Sequence, residues 1–203
     1  MNVPRWLLAL AAVALLAPAA CKDKAAELAP PESRSARASS PKGDPEAPVD
    51  PQLLAYLSQA RALHHEANVH EASNDPARAI AALEQLTKAA RPRPGAVVPE
   101  IDEVLADTYA RLAELRMRAG NFDGAARDVE QGLAHAKEPT YFRGHLFEVA
   151  GIVEEARAVS LADAGRPADV TRARERALTH LREAVEIQNR VIQGDVPRPA
   201  STP

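Results

Sequence analysis

An all-α fold is expected from three features of this chain. Alanine and leucine dominate its apolar residues, while aromatic residues make up only 3% of the total and runs of Val, Ile, Tyr and Phe are missing. Such a composition favours helices over strands. Apolar residues also recur at three- and four-residue spacing, as in Ala177, Leu178, Leu181, Ala184, Val185, Val191 and Ile192, which is the period of an amphipathic helix. Proline, glycine and short polar side chains punctuate these stretches where helices begin and end.

The punctuation marks six helices, expected as three antiparallel pairs, within residues 51–193. Asp50 before Pro51 is an N-cap with proline in the first turn, and it opens a helix over 51–73; Asp75 before Pro76 repeats the arrangement and opens one over 76–91. Pro92, Pro94, Gly95 and Pro99 break the chain before a third helix over 100–119. Gly120 ends that helix and Asn121 starts the fourth, 122–137; Pro139 and Thr140 open the fifth, 140–164. Gly165 and Pro167 separate it from the sixth, 168–193, and Gly194 is the stop. The fifth helix is apolar on more than one face, through Leu146, Phe147, Val149, Ile152, Val153, Val159 and Leu161. It is expected to lie between neighbours on both sides. A six-helix bundle is the alternative arrangement of the same elements.

The flanking segments read differently. Residues 1–20 carry one positive charge, Arg5, then the 12-residue apolar run from Trp6 to Ala17 and the small residues Ala19 and Ala20, the order of a bacterial export signal. That run is too short to span a bilayer, which takes about 20 helical residues. Cys21, the only cysteine, follows directly, and Leu16-Ala-Pro-Ala-Ala-Cys21 resembles the lipobox at which bacterial lipoproteins are diacylated and cleaved, with Pro18 where leucine is usual. An ordinary secretory signal cut after Ala19 is the alternative. Residues 22–50 hold five prolines and almost no large apolar side chain, so residues 21–50 are expected to be a lipidated cysteine and disordered tether. Residues 194–203 are expected to form a loose tail. Lys22 after the cysteine favours, by enteric-type sorting, the outer membrane facing the periplasm.

Charge and motifs then exclude several function classes. The formal net charge is -3, without the clustered Lys and Arg of a nucleic-acid binder. One cysteine allows no intramolecular disulfide. No Gly-rich phosphate loop, nucleophile elbow or cysteine-histidine pairing occurs, and Glu154 and Glu155 are adjacent and diverge, so no catalytic residue, enzyme activity or cofactor is assigned. The histidines His64, His65 and His70, with Glu66 and Glu71, nearly spell a zinc-protease helix, but His65 and His70 are five apart, about 140° around a helix. His145 and Glu148, three apart, are likewise read as surface.

The junctions repeat: Asn74-Asp-Pro-Ala-Arg-Ala79, Gly120-Asn-Phe-Asp-Gly-Ala125 and Gly165-Arg-Pro167. The unit Tyr109, Leu112, Ala113, Gly120, Phe122, Ala125, Val129, Gly132, Leu133 resembles a tetratricopeptide repeat, in which small residues let two antiparallel helices approach and larger ones fill the seam. Ala177, Leu178, Leu181, Ala184, Val185 and Ile187 look like the second helix of such a unit, as do Ala79, Ile80, Leu83 and Leu86. The spacings Asn74 to Gly120, 46 residues, and Gly120 to Gly165, 45 residues, exceed the usual 34 or so.

That resemblance implies a partner-binding surface on the first helix of each pair, where extended peptides or helices dock. Its matching positions are Arg61, His64, Asn68 and Glu71 on the first helix, Asp107, Ala110, Glu114, Met117 and Arg118 on the third, and Ile152, Glu155 and Val159 on the fifth. Some members grip a C-terminal carboxylate with lysine and asparagine; Asn68 has that character, while His64 stands at the lysine position. The expected function is an envelope-anchored lipoprotein acting as an adaptor or assembly scaffold for another envelope protein, with no nucleic acid. The alternative is a ligand- or metal-binding helical bundle using His64, His65 and His70.

Overall fold

The protein's structure, a computed structural model, describes residues 50–195; the expected leader, Cys21, the tether up to Val49 and residues 196–203 lie outside the described residues. Within them the chain forms six helices and no strand: α1 Pro51–Ala72, α2 Pro76–Thr87, α3 Pro99–Arg118, α4 Phe122–His135, α5 Tyr141–Asp163 and α6 Pro167–Gln193. The caps act as the sequence predicts. Asp50 accepts from the Gln52 amide at 2.9 Å, Asp75 from the Arg78 amide at 3.1 Å and Asn121 from the Gly124 amide at 2.9 Å, each satisfying an amide that the helix start leaves open.

The repeated junctions share one stop. Asn74, Gly120, Gly165 and Gly194 all have positive φ, between 54° and 77°. In each case the next amide reaches back across the last turn: Asp75 to His70 O, Asn121 to Arg116 O, Arg166 to Leu161 O and Asp195 to Arg190 O. This left-handed closure caps the final carbonyls and turns the chain, so the repeat in sequence is a repeat of turn geometry. The second helix is shorter than expected and stops at Thr87. Pro92 and Pro94 disfavour helical backbone in the residues before them, and the Thr87 hydroxyl donates to the Glu84 carbonyl at 3.0 Å.

The helices associate as α1 with α2, α3 with α4 and α5 with α6; α3 also packs on α1 and α2, and α5 on α3 and α4. Among the described residues α1 and α2 pack against neither α5 nor α6. This is the nearest-neighbour stacking of a helical array, and a closed bundle would bring the first and last pairs together. Partners within a pair are antiparallel: Gly144 faces Gln188 and Ala184, while Gly151 faces Leu181 and Ala177. Successive first helices run parallel, His64 meeting Thr108 and Glu71 meeting Arg118.

The buried residues follow this layering. Tyr56, Ala60, Leu63, Leu86, Val98, Ile101 and Leu105 form one cluster; Ala67, Ala79, Ala82, Leu83, Leu112 and Leu115 form the next. Ala106, Ala110, Ala113, Ala125, Val129, Ala136, Leu146, Val149, Ala150 and Val153 form the third. Leu112, read in the sequence as filler of the α3/α4 seam, points instead into the α1/α2 side; Val129 and Leu133 do fill the seam under α5. As the sequence predicts, α5 has neighbours on several sides. For α6 the sequence overstates the seam, because Ala177, Ala184 and Ile187 are buried but Leu178, Leu181, Val185 and Ile192 are exposed.

Candidate functional site

The first helices α1, α3 and α5 lie side by side, and the residues that the sequence selects divide into two groups there. The first group is tied between helices. His64 Nε2 is 2.9 Å from Thr108 Oγ1, and the Thr108 hydroxyl donates to Val104 O at 2.6 Å. Thr108 therefore accepts, and His64 carries its proton on Nε2. Burial lowers the His64 pKa, with Asp107 opposing and Arg111 reinforcing that shift. Arg111 donates to both Asn68 and Glu71, and Arg118 donates to Glu71 at 2.8 Å. Met117 packs against the third buried cluster.

These contacts give His64, Asn68, Glu71, Met117 and Arg118 a structural task, joining α1 to α3 or filling the core. Arg111 and Thr108, which the sequence reading missed, are the centres of the α1–α3 ladder. A signal for them exists in the chain: His64 to Thr108 is 44 residues and Asn68 to Arg111 is 43, close to one repeat length, so polar residues one repeat apart meet on parallel neighbours.

The second group remains available. Arg61 is exposed on α1 beside Ser58, Ala62 and His65, which share a shallow groove. Asp107 and Glu114 are half-buried on α3 and form no ion pair among the described residues. Ile152 and Val159 are exposed on α5, and Glu155 makes only a loose pair with Arg174 at 3.8 Å. Glu100 and Glu103 extend the acidic edge of α3: positions 100, 103, 107 and 114 fall within about 60° of one another around a helix. Partial burial, then Glu100, raises the Glu103 pKa. The face thus offers carboxylates on α3, flanked by apolar side chains on α5 and a cation on α1. Chemically it can hold a chain with basic and apolar side chains by contact and charge.

The histidines diverge. His64 turns to α3, His65 is exposed, and His70 lies 3.7 Å from Glu66. Among the described residues no three His, Cys, Asp or Glu side chains gather around one point. The most buried carboxylate network lies elsewhere: Arg116 pairs with Glu84 of α2 and with buried Asp128 of α4. Burial raises the Asp128 pKa even though Arg116 opposes it, which marks a tie between pairs. No protein-family model matches the chain, and neither a curated protein nor a solved structure matches it.

Proposed function

We propose that this chain is an envelope-anchored lipoprotein whose tetratricopeptide-like repeats act as an adaptor or scaffold. In this reading Cys21 carries the lipid, residues 22–49 give reach from the outer membrane into the periplasm, and the face of the first helices holds a segment of another envelope protein. The lipobox-like Leu16–Cys21 and the repeated junctions support it from the sequence. The observation that carries it is the untied set Arg61, Asp107, Glu114, Ile152 and Val159, left accessible beside the ladder in which His64, Asn68 and Glu71 bind Thr108, Arg111 and Arg118. No helix of the described residues is long and apolar enough to cross a membrane, so attachment in this reading falls to the lipid.

The test is photo-crosslinking in the native host, with the crosslinker placed at Glu114 or, for comparison, at Gln131 on the outer side of α4. One envelope protein recurring from Glu114, absent from Gln131 and lost with Ile152→Lys is the expected result. No recurring protein, or the same one from both positions, would sink the adaptor reading. Separately, Cys21→Ser should abolish lipid labelling and release the protein from the membrane fraction; persistence there would refute the anchor.

A further inference from the structure

Among the described residues helix α6 packs only against α5 and buries Ala173, Ala177, Ala184 and Ile187. Beside that buried row runs a second one. Leu178 is 52% exposed, Leu181 37%, Val185 56% and Ile192 81%. Counted from Leu178 they follow at 3, 7 and 14 residues, which sets them within about 60° on a helix and gives the spacing of a helix–helix seam. The preceding pair shows what such a row is for. Ala125, Val129 and Leu133 of α4 stand 52 residues before Ala177, Leu181 and Val185, and there Val129 and Leu133 are covered by α5. Residues 22–49 and 196–203 hold only Leu28, Val49 and Val196 as large apolar side chains, too few to match the row.

From the charges along this row, we infer that its occupant is α6 of a second copy, laid antiparallel about a twofold axis. Glu175, Arg182, Glu186 and Arg190 line one flank, and none of them forms an ion pair among the described residues. When two such helices run antiparallel, one register brings Arg182 against Glu186 and Glu175 against Arg190. The two pairings differ by three residues along the helix, about 4.5 Å, which long side chains span. Twofold symmetry makes each pair twice. A parallel arrangement would set this flank against the partner's opposite flank, where Ala177 and Ala184 face α5, and makes none of these pairs.

The full chain, purified in mild detergent, tests this by light scattering over a concentration series. A protein mass approaching twice that of the single processed chain is expected, falling to the monomer for Val185→Glu with unchanged circular dichroism. Leu54→Glu, on exposed α1 surface, should leave the dimer intact. Arg182→Glu should weaken association several-fold, and adding Glu186→Arg should restore it, since the swap preserves every pair. A wild type that stays monomeric, a dimer untouched by Val185→Glu, or a swap that fails to restore association would overturn the inference. So would a different protein copurifying with the monomer and released by Val185→Glu.

Discussion

The middle pair α3/α4 and the last pair α5/α6 are built from the same parts and end in different states. In the middle pair nearly every apolar side chain is covered, and polar residues bridge outward on both sides: Arg111 to Glu71, Arg116 to Glu84, and Asp123 of α4 to Arg157 at 2.8 Å. The last pair closes by direct approach, with Gly144 and Gly151 against α6 and the Glu154–Arg176 pair at 2.7 Å, and leaves an apolar row outside. The difference shows that in an array the identity of a residue does not fix its role. A leucine is core where a neighbouring pair packs on it and stays exposed where, among the described residues, none does.

The largest expected effect compares one substitution at two places. Leu112→Ala removes a fully buried side chain and should cost about 4 kcal/mol of unfolding free energy; Leu178→Ala on the open row should cost less than about 0.5 kcal/mol in the monomer. Urea unfolding of both reads the contrast, and equal losses would mean the α6 row is covered.

Next in size, Arg116→Met should cost about 3 kcal/mol, because it strands buried Asp128 without its cation. Loss of the exposed pair partner Arg174 should be nearly silent by the same assay. Gly151→Val tests the close approach of the last pair. A Cβ there would stand 2.6 Å from Leu181 Cγ and 3.2 Å from the Ala177 carbonyl. The overpacking should cost about 2 kcal/mol, and a neutral result would show that α6 is free to shift.

The smallest effect is in pH. The folded state holds His64 neutral, its pKa lowered from 6.5 by burial. The unfolded chain therefore binds the proton first as pH falls, so this contribution to stability is complete above about 6.5 and is lost below it. Denaturant midpoints between about pH 7 and pH 5 should decline less steeply for His64→Gln; an unchanged slope would mean that other groups govern the acid limb.

Much of this was legible in the chain. Asp50, Asp75 and Asn121 marked helix starts, and Asn74, Gly120 and Gly165 marked stops, because caps and left-handed turns depend on a few neighbouring residues. The small and large apolar residues of the α3/α4 seam were also visible, apart from the direction of Leu112. The candidate face was only half legible. Arg61, Ile152, Glu155 and Val159 lie on exposed surface and Asp107 and Glu114 are half-buried, while His64, Asn68 and Glu71 are bound by Thr108 and Arg111 across the repeat.

The sequence by itself determined the helices, their boundaries apart from the end of α2, and the repeated turn, since each rests on interactions within about five residues. Only the tertiary structure decided which polar residues lock to a neighbour and which apolar rows stay open. Those outcomes depend on what the next pair brings to within a few ångströms, and neither periodicity nor local propensity encodes that approach.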